Sequence, residues 1–115
     1  MRIAVIGAGG FIGARLTGAL ARSEGLVPLP VRRRAGASGR GPQPVLCDAT
    51  RPAELAKALQ GADVAVNCVA GSEPVLLAST EAICKAARDA EVRRVIHLSS
   101  MAVYGSATGV MTETS

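Results

Sequence analysis

Gly7-Ala8-Gly9-Gly10-Phe11-Ile12-Gly13 constrains this chain more than any other stretch. It follows the apolar run Ile3-Ala4-Val5-Ile6 and precedes a helix-like segment from Phe11 to Arg22. A strand that turns on glycines into a helix gathers backbone N–H groups and the positive end of the helix dipole at one spot. A phosphate or pyrophosphate fits there. Glycine is needed because a Cβ would keep the backbone away from such a ligand. The strand before, the helix after and the position close to the N-terminus together give the turn its meaning.

At 115 residues, with 49% hydrophobic content, the chain is one ordered domain or part of one. Phe11 and Tyr104 are its aromatic residues, so the core must be Ala, Val, Leu and Ile. Such a core suits parallel strands covered by helices on both faces. No apolar run approaches the roughly 18 residues of a membrane span. No secretory cleavage pattern follows the N-terminus. Cys47, Cys68 and Cys84 are odd in number and widely spaced, as expected for reduced, mostly buried thiols and not for disulfides or a zinc site. Together these features suggest a cytoplasmic protein that binds no membrane and no metal. The net charge of +4 owes much to Arg32, Arg33, Arg34 and Arg40 in one loop. That loop is a poor nucleic-acid patch because no aromatics interleave with it.

Apolar runs alternate with helix-like stretches. Strands are expected at Arg2–Ile6, Val27–Val31, Val45–Cys47, Asp63–Val69 and Arg94–Leu98. Helices are expected at Gly10–Arg22, Pro52–Gln60 and Val75–Ala90. Thr50 is the expected N-cap of the second helix, Pro52 its early proline, and Gly61 its end. The third helix carries Leu76, Leu77, Thr80, Ile83, Cys84 and Ala87 at helical spacing. Right-handed crossovers then make an α/β, Rossmann-type doubly wound parallel sheet. In the order 3-2-1-4-5, a crevice opens at the carboxyl ends of the first and fourth strands. Gly7–Gly13 and Asn67-Cys68-Val69-Ala70-Gly71 both fall there.

A carboxylate closing the second strand would accept hydrogen bonds from the ribose hydroxyls of NAD. This chain has Arg32, followed by Arg33, and a guanidinium fork pairs with a 2′-phosphate. NADP(H) is therefore expected over NAD, unless these arginines only begin a basic surface loop. Asp48 can accept from an adenine amino group, act as a turn or capping residue, or do both. Val69-Ala70-Gly71 lets a flat ring and ribose pass close to backbone, or forms an ordinary turn. Asn67 and Cys68 are expected to be structural, and His97, inside an apolar strand, to be a packing residue. Ser99 and Ser100 end the fifth strand beside the crevice, where a hydroxyl can meet a substrate oxygen. Tyr104 has no nearby Lys to make it an acid or base and is expected to pack at the strand exit.

Taken together, these residues resemble the extended short-chain dehydrogenase/reductases, the NAD(P)-dependent epimerase/dehydratase family. The matching pieces are Gly7, Gly10 and Gly13 with Phe11-Ile12 between the last two, Cys47-Asp48-Ala49, and Asp63 through Ala70. Ala86-Ala87-Arg88, Val92 through Ser100, Val103-Tyr104-Gly105 and Thr112-Glu113 also match. The resemblance implies that Gly7, Gly10, Phe11, Ile12 and Gly13 contact the pyrophosphate and that Arg32 takes the 2′-phosphate, with Arg33 beside it. It places Asp48 and Ala49 at adenine, and Val69 and Ala70 on the ribose and nicotinamide side. Ser99 completes the cofactor set. Ser100, four residues before Tyr104, matches the family's catalytic Ser/Thr. Two departures stand out. The family's Tyr-x-x-x-Lys pair lies beyond this segment, and Tyr104 is not that tyrosine, because Thr108 stands where Lys should. The long helix also reads Leu76-Leu77-Ala78-Ser79-Thr80 where the family often has Asn.

The expectation is the amino-terminal portion of a longer NADP(H)-dependent oxidoreductase or epimerase, without the last strands and the substrate lobe. It would act by hydride transfer on a carbonyl or secondary alcohol, possible nucleotide sugars included. Its expected partners are a small-molecule substrate and a second copy in a homodimer, with no nucleic acid. The alternative is a non-catalytic redox sensor or scaffold that binds the dinucleotide without turnover.

Overall fold

The computed structural model describes residues 1–33 and 44–98. Among these residues, five strands and three helices follow in the order β1 (Arg2–Ile6), α1 (Phe11–Ala21), β2 (Val27–Arg32), β3 (Val45–Leu46), α2 (Pro52–Ala58), β4 (Val64–Asn67), α3 (Glu73–Asp89) and β5 (Arg94–His97). The sheet is wholly parallel, in the order β3-β2-β1-β4-β5. This is the Rossmann-type doubly wound arrangement. The order reverses between β1 and β4, which opens a crevice at their carboxyl ends.

Alternation along β1 sorts side chains between two cores. Ala4 and Ile6 join Leu55, Leu59, Ala65, Ile83 and Ala86 under α2 and α3. Ile3 and Val5 join Ala8, Leu20 and Val66 under α1. Both faces of β1 are therefore covered, as a parallel sheet requires.

Two prolines lie inside β2 without breaking it. Val27 N–H donates to Met1 O, toward β1, whereas Arg32 O accepts from Cys47 N–H, toward β3. Odd residues of β2 thus face β1 and even ones face outward. Pro28 and Pro30 fall on the outward side, where β3 pairs only with Val31 and Arg32. The missing N–H groups cost no ladder bond, and they restrict how far β3 can extend.

The structure corrects several boundaries and faces. The strands β3, β4 and β5 stop one or two residues earlier than expected. The helix α3 begins at Glu73, behind Ser72 and with Pro74 in its first turn. Its buried stripe is Ser79, Ala82, Ile83, Ala86 and Ala87. Leu77 is 60% exposed, and Thr80 and Cys84 lie on the outer face. Small side chains thus mark the inner face of α3 better than the leucines do. Thr50 is not the cap of α2. That position is Arg51, with no side-chain cap, because the Thr50 N–H and hydroxyl both donate to Asp48 Oδ1 at 2.9 and 2.7 Å. Gly61 does end the α2 region, at φ +82°. His97 is not a packing residue. Among the described residues it is exposed, on β5, the last strand of the sheet order.

Candidate functional site

A cavity of about 590 Å³ lies at the carboxyl ends of β1, β2 and β4. Its size falls within the range of small-molecule and cofactor sites. Gly7, Gly9 and Gly10 form one wall, and Arg32, Arg33, Asp48, Ala49 and Thr50 a second. Cys68, Val69 and Ala70 form the third, with Val75 and Ser79 of α3 beyond.

The glycine wall is built from backbone. Gly7 adopts φ +86°, which disfavours any residue with a Cβ. The N–H groups of Gly7 and Ala8 both donate to Val31 O, at 2.9 and 3.0 Å, and tie the turn to β2. A Cβ on Gly7 would come within 2.8 Å of the Cys68 carbonyl carbon, so β1 and β4 touch backbone to backbone here. A Cβ on Gly13 would collide with Gly7 O and stand 2.9 Å from Ala8 Cα. That second close approach seats α1 directly on the turn. Gly10 is different. A Cβ there would meet only Gly7 O, at an ordinary 3.5 Å. Protein packing leaves the space above Gly10 open, toward the cavity.

Gly10 caps α1 with extended backbone and no side-chain bond, and no acidic residue stands in the first turn. The Ala14 N–H is the first to reach a helix carbonyl, that of Gly10. The amides of Phe11, Ile12 and Gly13 precede it and have no intrahelical acceptor. Such an end attracts anions. The Phe11 and Ile12 side chains are 74% and 55% exposed and do not line the cavity. Phe11 lies under the Arg15 guanidinium, 4.2 Å from its ring centre.

On the second wall, Arg32 holds the one buried side-chain nitrogen or oxygen without a hydrogen-bond partner among the described residues, its Nε. A buried donor left unpaired is costly unless a ligand satisfies it. Hydrogen bonds from the Thr50 hydroxyl and N–H hold the Asp48 carboxyl below its ordinary range, helped by Arg33 and Arg51. Asp48 is thus an Asx-turn residue whose Oδ1 is committed to Thr50. Burial pushes the Cys47 thiol up, with Glu54 and Asp48 adding to the effect. Burial alone pushes up Cys68.

The third wall is held by side chains. Asn67 Oδ1 accepts from Val69 N–H at 3.0 Å. Its Nδ2 therefore faces His97 Nδ1, also at 3.0 Å. That contact makes Nδ1 an acceptor and leaves the proton on Nε2, which lies 3.9 Å from Cys84 Sγ. His97 thus orients Asn67, and Asn67 fixes the Val69 backbone at the cavity.

Of the residues singled out from sequence, Gly7, Gly10, Arg32, Arg33, Asp48, Ala49, Val69 and Ala70 come together around this cavity. Phe11, Ile12 and Gly13 stand behind the turn. Ser99 and Ser100 lie outside the described residues. Sequence reasoning missed Gly9, Thr50, Val75 and Ser79, and took Cys68 and Asn67 as structural only. Gly9 could have been flagged as one glycine more than the turn needs, and Ser79 as a polar residue within a stripe of alanines. Among the described residues, no group of three or more His, Cys, Asp or Glu could hold a metal ion. No helix among them is long and apolar enough to cross a membrane.

Residues 7–114 match the NAD(P)H-binding family, and the chain belongs to it. No curated protein matches significantly. Among solved structures, one similar protein is an oxidoreductase from Lactococcus lactis. It shares 26% identity at a TM-score of 0.76, over 92% of this chain and 51% of that one. A protein from Burkholderia pseudomallei, described as exported, shares 32% identity at a TM-score of 0.72, over 84% of this chain and 47% of that one. A UDP-N-acetylglucosamine 4-epimerase from Bacillus cereus shares the fold at 20% identity and a TM-score of 0.79, over 100% of this chain and 41% of that one. The chain thus spans about half the length of the solved structures it matches, or less. The cofactor class is a nicotinamide dinucleotide.

Proposed function

We propose that this chain holds NADP(H) for an oxidoreductase or epimerase that moves hydride to or from a carbonyl or secondary alcohol. The observation that carries this reading is the buried, unpartnered Arg32 Nε at the cavity edge. A 2′-phosphate would satisfy that donor, with Arg33 adding charge. NAD offers only a neutral hydroxyl at that 2′ position.

The remaining residues then fall into roles. The free amides at the start of α1, reached across the open space over Gly10, receive the pyrophosphate. Asp48 keeps Oδ2 for the adenine amino group while Thr50 occupies Oδ1. Val69 and Ala70 present backbone and small side chains to the nicotinamide ribose. The dinucleotide supplies the hydride when bound. By the family resemblance, the Ser100 hydroxyl donates to the substrate oxygen and stabilises charge developing there, with Ser99 beside the cofactor.

Fluorescence titration with NADPH and NADH tests the cofactor reading. Arg32→Ala should weaken NADPH by about 1.5–3 kcal/mol, roughly 10- to 150-fold, and leave NADH nearly unchanged. Equal losses for both would overturn the 2′-phosphate role. Gly10→Val should abolish binding of both cofactors with an unchanged circular dichroism spectrum, because only the ligand competes for that space. Hydride exchange between bound NADPH and carbonyl substrates then separates an enzyme from a dinucleotide sensor, which would bind without turnover.

A further inference from the structure

Gly9 lines the cavity, yet its backbone does not explain it. Its φ lies outside the left-handed region, so any residue could adopt this conformation. The atoms nearest a Cβ built on Gly9 all belong to one side chain. Its three nearest atoms are Arg32 Nη2 at 3.0 Å, Nε at 3.1 Å and Cζ at 3.2 Å. The guanidinium therefore lies against the bare Cα of Gly9. Among the described residues Arg32 has no ion-pair partner.

Arg32 is itself anchored. It ends β2, pairs in register with Leu46, and its carbonyl accepts from Cys47 N–H at 2.9 Å. Only its side chain is free to adjust. Gly10 shows the contrast, since its Cβ would meet no part of Arg32.

We infer that Gly9 is a specificity-determining residue: by lacking a Cβ it seats the Arg32 guanidinium where it can take a ribose 2′-phosphate. This rests on the NADP(H) reading above. A methyl group at position 9 would push the guanidinium outward by a few tenths of an ångström. Charge-assisted hydrogen bonds are short and directional, so that displacement weakens recognition of the phosphate. It leaves the pyrophosphate cradle untouched. Gly9 thus sets the discrimination between the two dinucleotides, and the rest of the turn sets affinity for both.

The test uses 2′,5′-ADP and ADP as probes in calorimetric titrations of the wild type, Gly9→Ala, Arg32→Ala and the double variant. The wild type should prefer 2′,5′-ADP by on the order of tenfold or more. Gly9→Ala should narrow that preference roughly three- to tenfold, with ADP affinity unchanged. In the Arg32→Ala background, Gly9→Ala should change neither the preference nor the melting temperature, because nothing remains to displace. A wild-type preference in Gly9→Ala, with its loss in Arg32→Ala, overturns the role of Gly9 and leaves the cofactor reading standing. An Arg32→Ala variant that keeps the preference overturns both. Loss of ADP binding or of folding in the double variant shows that Gly9 acts through the turn, and also overturns the inference.

Discussion

The wall of the cavity made by β1, β2 and α1 and the wall made by β4 and β5 keep their shape by different means. The first is backbone on backbone. Gly7 and Gly13 let a turn, a helix and the β4 exit approach within distances that no side chain allows, and main-chain bonds to Val31 O lock the turn. The second depends on a chain of side chains, from Cys84 through His97 and Asn67 to the Val69 amide. A backbone-built wall is rigid and tolerates almost no substitution where backbones touch, at Gly7 and Gly13. A wall hung on side chains tolerates change by degrees.

The sharpest way to break this contrast is at the glycines. Gly7→Ala adds left-handed strain and a collision with the Cys68 backbone, for a loss of about 2–6 kcal/mol in total. In a domain of this size each kcal/mol lowers the melting temperature by about 4–8 °C. Gly13→Ala adds the collision without the strain and should lose about 1–3 kcal/mol. Thermal melts check both. A Gly7→Ala protein that melts like the wild type would show that the turn is softer than its packing implies.

Asn67→Ala tests the other wall and should matter less. It leaves the Val69 N–H without its acceptor, at a cost of about 1–3 kcal/mol. The Val69 amide should exchange with solvent faster, and NADPH affinity should fall. Asn67→Asp keeps an acceptor for Val69 but no longer donates to His97, so it should recover most of the Val69 protection. If Asn67→Ala leaves that protection unchanged, the third wall does not depend on its side chains.

The smallest effect belongs to Asp48, between the two walls. Its carboxyl titrates below the ordinary value of about 3.9 because the charged form accepts two hydrogen bonds from Thr50. The stabilisation is therefore full above that value and is lost as pH falls through the depressed pKa. Asp48→Asn should remove this part of the acid destabilisation, seen as a shallower fall in melting temperature as the pH drops below about 4. An unchanged acid limb would show that the Thr50 bonds do not favour the charged form.

The sheet order and the glycine wall were legible because each rests on local constraints. Gly7 is needed for its φ, Gly13 for close packing, and alternating apolar runs for two-sided burial. The Asn67–His97 contact was not legible, because it joins positions 30 residues apart. A lone histidine in an apolar strand reads as core, and nothing local in the sequence pairs it with Asn67. The inner face of α3 was misjudged for a related reason. Large apolar residues attract the eye, yet the buried face of the helix is Ser79, Ala82, Ile83, Ala86 and Ala87.

By itself, then, the sequence determined the succession of strands and helices, the parallel sheet and the glycine-rich turn, since each follows from spacing, propensity or the absence of a Cβ. Tertiary structure alone decided that Arg32 lies on Gly9 and that Asn67 holds Val69. Those contacts depend on where distant backbone segments come to rest, which no local pattern encodes.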